Sequence, residues 1–599
     1  MVAMLVACVV TASIYHPGLD GGYILDDFAV VHPLVKAPAA VDVDSVFREF
    51  GPLGRPVAML SFLFNARLAD GLAAWKAVNL ALHLVTGLLV FLFARRLFAW
   101  VATERPAAEW CAAFAAVWWL LHPLFVSTTL YTYQRQAQLA ALFSLLALLA
   151  YLAARRRQAA GGSGGTALLT ASGLTALAAL SKENGALVPV YWLLLEGTVL
   201  RDCPRPAWFT RMLWWGSAGA ALVGSALLVL HYEALLVTPY TWVDYTLSER
   251  LLTQCRVVPI YLGLLFVPRL SALGFYHDDL ALSRGLLDPP STLAGLLLIV
   301  GLVLLAVHWR RRRPLVSFGI GLFLAGQILE SSVFQVEMMF EHRTYLPAIG
   351  VFVAVAAVGA ELPLRRLARG ALATIALAAF ALATAARVAS WSSTERLYTD
   401  LFVQHPDSLR ARIALAEWLA RERNDVTTAL ILLNHIETPD TALLATVIDC
   451  RHGRDPHRNW QRFDAALTGQ TRVSNFVAKA MLDLVGRVEA GTCPLDARDV
   501  AAQGGRVAAL GMPVSRRFKL FHAVARLFHA VGAYEPAIAA LSAAAASQPE
   551  QAMPWFLAAE WAVANGRVDE ARVLFERGRA LDRELAGRFA ELDAVIGAE

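Results

Sequence analysis

Charge is what this chain is shortest of. Asp, Glu, Lys and Arg make up 17% of its 599 residues, whereas hydrophobic residues make up 57%. That balance excludes a soluble globular protein over the whole length. The formal net charge of +5 sits mostly on arginines beside apolar runs. No basic groove with interleaved aromatics accompanies it, which argues against a nucleic-acid partner. Cysteine is also sparse, with six residues and no CxxC pair, so a zinc site is not expected. Cys8, Cys111, Cys203 and Cys255 fall in the apolar part. Cys450 and Cys493 fall in the polar tail, where an oxidising compartment would let them pair. Met1–Tyr15 lacks a basic n-region and a clear cleavage site, so it reads as an uncleaved first span.

What the chain has in abundance is apolar runs of bilayer-spanning length, alternating with short loops up to about Ser390. An Ala-, Arg- and Glu-rich amphipathic tail follows. The expected fold is therefore all-α: a polytopic membrane domain over 1–390 and a helical repeat domain over 391–599. Basic clusters at Arg95-Arg96, Arg155-Arg156-Arg157, Arg201, Arg310–Arg313 and Arg365-Arg366 mark cytoplasmic ends. The intervening ends, at His122-Pro123, Lys182-Glu183, after His231 and at Glu341-His342-Arg343, then face outward, as does the tail. This gives about eleven spans. Leu251–Val267 breaks the alternation and is expected to be re-entrant or interfacial, carrying Arg256 near the headgroups.

The first outer loop, 20–76, opens with Tyr23-Ile24-Leu25-Asp26-Asp27-Phe28. Val46–Phe50 and Arg55-Pro56 within it suit helices lying on the bilayer surface. An Asp-Asp pair in a loop is most often a helix cap; here it lies on the same outward side as the other polar ends. Charges in apolar spans cost about 2.5–3.5 kcal/mol each on insertion scales, so they usually serve a site or pair with one another. Arg135, Lys182 and Arg343 together suit a phosphate, because the guanidinium fork matches its oxygens. His122, Glu183 and Arg256 are candidates to line the same pocket. The chemistry that fits is sugar transfer from a lipid phosphate to a hydroxyl, with a carboxylate as base and cations on the leaving phosphate. The carboxylate pair is equally suited to a divalent cation such as magnesium or manganese, and the sequence does not separate the two uses.

Taken together, Tyr23–Phe28, Arg55-Pro56, Asn79–His83, His122-Pro123 with Arg135, Ser181-Lys182-Glu183, Arg343–Pro347 and Trp391 resemble one family. It is the GT-C class of membrane glycosyltransferases, in particular the transmembrane and tetratricopeptide-repeat O-mannosyltransferases and their bacterial relatives. The resemblance implies a polyprenyl-phosphate monosaccharide donor, inversion at the anomeric carbon and a bacterial inner-membrane location with a periplasmic tail. It makes Asp26 the base and Asp27 its support, puts Arg343 and Lys182, with Arg135, on the donor phosphate, and lines the pocket with His83 and Tyr345. It does not extend to the sugar, because Gln134-Arg135-Gln136 and Glu341-His342 depart from the mannosyltransferase pattern.

In the tail, Ala525, Gly532, Ala537 and Leu541, followed by Ala544 and Pro549, recur 34 residues on as Ala559, Gly566, Ala571 and Phe575, with Trp555 at the aromatic position. This is the spacing of tetratricopeptide hairpins. Pro406–Pro439 reads as a looser earlier unit and 440–511 as degenerate hairpins. Such stacks present a concave face to peptides, so the expected acceptor is a protein hydroxyl. A lipid or envelope-glycan acceptor, or a non-catalytic scaffold, are the competing readings. Cysteines introduced after Val388 are expected to react with an impermeant maleimide added from outside; protection there would reverse the orientation.

Overall fold

The computed structural model describes residues 2–36, 54–68, 70–101 and 105–598. Val46–Phe50, expected above as a surface helix, lies outside the described residues. The described residues are helical throughout, with one isolated bridge between Arg472 and Gly511 and no strand. They form two compact units, Met1–Leu235 with Leu247–Ser408, and Leu236–Thr246 with Leu409–Glu599. The division therefore falls at Ser408 rather than Ser390, and the second unit also takes the short stretch Leu236–Thr246.

In the first unit, six helices among the described residues are long and apolar enough to cross a membrane: Val2–Asp20, Leu72–Val101, Thr132–Ala159, Ala207–Leu230, Ser291–Trp309 and Arg366–Ser390. The pair Ala107–Leu120 and Pro123–Leu130, bent by 49°, would make a seventh. Helices also stand at the other four places where a span is expected. Gly165–Ser181, Pro314–Ala325 and Ala348–Ala360 are apolar but shorter, and Val188–Gly197 has only 10 residues. At 1.5 Å per residue a 12-residue helix reaches about 18 Å, well short of a hydrocarbon core of about 30 Å. These helices are short because the chain unwinds beside them. Lys182 is extended and precedes the 3-10 turn Glu183–Leu187, and Glu341–Thr344 is another 3-10 turn. The expected outward polar residues lie on this irregular backbone. Such backbone is tolerated at membrane depth only where protein surrounds it. Leu251–Phe266 belongs to one continuous helix, Leu247–Phe266, that runs through Pro259.

Two facing glycines allow a close helix crossing in this unit. A Cβ on Gly319 would lie 2.2 Å from the Gly350 carbonyl oxygen, and one on Gly350 would lie 2.3 Å from that of Gly319. Small residues at such crossings let backbones touch where no hydrophobic gain drives helices together. Aromatic packing adds to the core, with Trp118 4.4 Å from Phe352 and Trp119 4.7 Å from Tyr345 between ring centroids.

The second unit is a succession of short helices. Val514–Ala530 pairs with Tyr534–Ser547, and Met553–Ala564 with Val568–Leu581. Each pair turns on a glycine in the left-handed region, Gly532 at φ +70° and Gly566 at φ +71°, a conformation glycine adopts without a Cβ penalty. Ala525, Ala537, Leu541 and Ala544 of the first pair are buried, as are Ala559, Ala571 and Phe575 of the second. The 34-residue spacing is therefore matched by equivalent turns and equivalent core positions. The 440–511 stretch is folded, into helices starting at Pro439, His457, Asn475 and Ala497.

Cys450 and Cys493 form a disulfide across a separation of 43 residues. Closing a loop of that length removes enough unfolded-chain freedom to stabilise by about 4 kcal/mol. Replacing both cysteines by alanine is expected to lower the denaturant midpoint of this unit's helical signal, measured on the full chain in detergent. An unchanged midpoint would mean the bridge contributes nothing to stability.

Candidate functional site

The two adjacent carboxylates face different surroundings. Leu25, in the left-handed region at φ +45°, starts the tight 3-10 turn Leu25–Asp27, and the turn buries Asp27 while leaving Asp26 exposed. Asp27 is fully buried. Its Oδ1 accepts the Tyr133 N–H at 2.9 Å and its Oδ2 the Ile24 N–H at 3.3 Å. Burial pushes its carboxyl up to about 7, against the pull of those two amides and the Lys76 ammonium. Asp26 is gripped from one side only: the Tyr131 hydroxyl donates to its Oδ2 at 2.7 Å and accepts its N–H at 3.1 Å. Lys76 braces the approach by donating to the Gly21 carbonyl at 2.7 Å. A Cβ on Gly21 would meet the Trp391 carbonyl oxygen at 2.1 Å, and one on Gly22 the Thr394 hydroxyl at 2.0 Å. The two glycines thus let the loop lie against the chain that leaves the last long apolar helix.

Both Asp27 oxygens already accept backbone amides. Among the described residues, no group of three His, Cys, Asp or Glu side chains is placed to hold a metal ion.

A second cluster is cationic. Lys182 Nζ lies 2.8 Å from Glu330 Oε1, and Arg343 Nε lies 3.6 Å from Glu330 Oε2. Arg343 also donates to the Met338 and Glu337 carbonyls at 3.1 and 2.6 Å. Burial alone would raise the Glu330 carboxyl, but the Lys182 and Arg343 charges hold it well below the usual carboxylate range. Burial in turn lowers the Lys182 ammonium, with Glu330 opposing. Lys182 and Arg343 border a small cavity of about 30 Å3 whose walls also include Asn184, Tyr191, His342 and Tyr345 over an apolar floor at Ala137, Ala140 and Ala141. Arg55 forks onto Glu183, which is next to Lys182 in the chain, at 2.9 and 3.0 Å.

His342 also lines a second, tightly packed cleft together with Ser127, Tyr131, Gln134, Phe275, Phe340 and Glu341. Burial drives the His342 imidazole well below its ordinary value, with the Lys182 charge acting in the same direction. Gln134 Oε1 is buried without a hydrogen-bond partner. Glu341 accepts from the Ser127 hydroxyl and faces Arg387 at 3.6 Å. Tyr131 therefore connects Asp26 to this cleft, and His342 connects the cleft to the cationic cavity.

Several expected site residues do other work. Arg135 does not join the cationic group. Its guanidinium donates to Asn79 Oδ1 at 2.8 Å, Asn65 Oδ1 at 2.7 Å and the Trp75 carbonyl at 3.0 Å, and it stacks 4.9 Å over Phe62. It ties Pro56–Leu68 and Leu72–Val101 to its own helix. His122 commits both ring nitrogens to backbone, Nε2 donating to the Leu265 carbonyl at 3.1 Å and Nδ1 accepting the Leu124 N–H at 3.2 Å. Arg256 donates to the Ala281 carbonyl at 2.6 Å. His83 stands behind the cavity wall: its Nε2 donates to the Leu120 carbonyl at 3.1 Å, so its Nδ1 accepts the Tyr345 hydroxyl at 2.9 Å. Glu183 pairs with Arg55 instead of lining the cavity. Sequence reading missed Glu330, Tyr131 and the pairing of Arg55. The one signal for Glu330 was a lone acid ending the apolar run that starts at Pro314.

No protein-family model, curated protein or solved structure matches the chain.

The raised Asp27 pKa makes a pH prediction. A carboxyl whose folded value lies above its unfolded one favours folding below the unfolded value, and that advantage is lost as pH rises through the folded value. Apparent melting temperature in detergent is expected to fall as pH rises from about 4 to about 7, and Asp27→Asn is expected to flatten that slope. Equal slopes for the two proteins would remove Asp27 as the cause.

Proposed function

We propose that the chain is an inverting glycosyltransferase of the GT-C type, moving one sugar from a polyprenyl phosphate to a protein hydroxyl on the outer face of a membrane. The observation that carries this reading is a charge count. Three cations, Arg55, Lys182 and Arg343, face two carboxylates, Glu183 and Glu330, leaving one positive charge for a singly charged phosphodiester. An exposed carboxylate, Asp26, stands across the neighbouring cleft on Tyr131.

In the mechanism, the acceptor hydroxyl approaches Asp26 on the exposed side of Tyr131, near Gln134, whose Oε1 is an unused acceptor. Its oxygen attacks the anomeric carbon from the face opposite the phosphate, and its proton passes to Asp26. The bond from the anomeric carbon to the phosphate oxygen breaks, and the electron pair leaves with polyprenyl phosphate. That phosphate becomes a dianion, which Lys182 and Arg343 stabilise in surroundings poor in water. Glu330 stays behind to balance Lys182. Asp27 positions Asp26 and does not itself take the proton. The tail then acts as a tetratricopeptide-like solenoid that presents acceptor protein, and about eleven spans put both on the periplasmic side of a bacterial inner membrane.

Asp26→Asn is expected to express and insert normally while abolishing glycan transfer, read by mass spectrometry of exported proteins from cells with and without the active chain. Normal transfer by Asp26→Asn would sink the assignment. The mass missing from the acceptor proteins names the sugar.

A further inference from the structure

Arg55 is held in a conformation its sequence disfavours. Its φ is +42°, in the left-handed region, and the next residue is Pro56, which opens the helix Pro56–Leu68. A non-glycine residue in that region is strained, and a following proline narrows its choices further. Such strain persists where the surroundings fix it, often at a working site. Here the side chain's bonds do the fixing. Nε and Nη2 donate to the two oxygens of Glu183 at 2.9 and 3.0 Å, and Nη1 donates to Gln136 Oε1 at 2.5 Å. Two parallel bonds onto a pair of oxygens are also how a guanidinium takes phosphate.

The two carboxylates among these cations differ in how freely they can leave. The Glu330 side chain is 13% exposed and is shared by Lys182 and Arg343. The Glu183 side chain is 62% exposed, with Arg55 at 27%. Glu183 can turn into water without becoming a buried lone charge; Glu330 cannot.

We infer that Glu183 is a placeholder carboxylate, holding the Arg55 fork in the position it uses for the donor phosphate and yielding it when that phosphate arrives. This rests on the transferase reading for the identity of the ligand. Arg55 is then a third phosphate-binding cation, brought in by exchange of ion pairs, while Lys182 and Arg343 are fixed in advance by Glu330. The exchange keeps the guanidinium paired before and after binding, so the fork is oriented without an unpaired charge at either stage.

The test is equilibrium binding of undecaprenyl monophosphate to the full-length protein in nanodiscs, with undecaprenol as the phosphate-free control. Arg55→Ala is expected to weaken binding about tenfold or more, the loss of a charge-assisted pair of hydrogen bonds. Glu183→Gln is expected to tighten it several-fold, and the double variant to bind like Arg55→Ala alone. Weakening by Glu183→Gln would make the pair a structural clamp and overturn the proposal, as would additive effects in the double variant. If Arg55→Ala does not fold, the sign of the Glu183→Gln change still decides. A wild-type protein that binds undecaprenol as tightly as the phosphate would bring down the transferase reading as well. Discrimination by the wild type with no change in either variant would bring down the placeholder alone.

Discussion

A carboxylate withdrawn from water has to be answered by opposite charge or by hydrogen bonds, and Glu330 is one place where the first unit depends on this. Lys182 and Arg343 arrive on two unwound stretches far apart in the chain, and each is buried and would be costly unpaired. Glu330 holds both. Removing one member of such a buried group typically costs roughly 3–5 kcal/mol, because the others are left uncompensated. The short helices Gly165–Ser181 and Pro314–Ala325 follow from the same need: their continuing backbone is irregular because polar side chains must converge there.

The acidic pair shows the complementary solution, with hydrogen bonds replacing charge. Asp27 takes two backbone amides and fixes the loop, and Asp26 is left with one phenol and open surroundings. Neighbours in sequence thus divide into a buried anchor and an exposed carboxylate beside a single left-handed residue, Leu25. Arg135 is the cationic counterpart of the anchor, spending its donors on Asn79, Asn65 and Trp75.

Much of the fold was legible because its signals are periodic or compositional. Apolar runs marked the helices, and the 34-residue spacing marked the turns at Gly532 and Gly566. The candidate site was legible only in part. Asp26, Asp27, Lys182, Arg343 and Tyr345 stood out as polar residues at the ends of apolar runs, and that pattern does not tell a ligand-facing side chain from one that ties helices together. Arg135 and His122 have the same pattern and are structural. Which role each plays depends on partners distant in sequence, such as Asn65 for Arg135 and the Leu265 carbonyl for His122. Tyr131 carried no charge and so no signal, though it grips Asp26.

The Gly21-Gly22 step lies against the Trp391 carbonyl and the Thr394 hydroxyl, so the earliest loop of the unit rests on nearly its last residues. This orders events during synthesis. Asp26 is made well before Trp391 and Thr394, so the surface that seats its loop is not available until the chain has passed Thr394. A nascent chain halted earlier carries the carboxylate without its support.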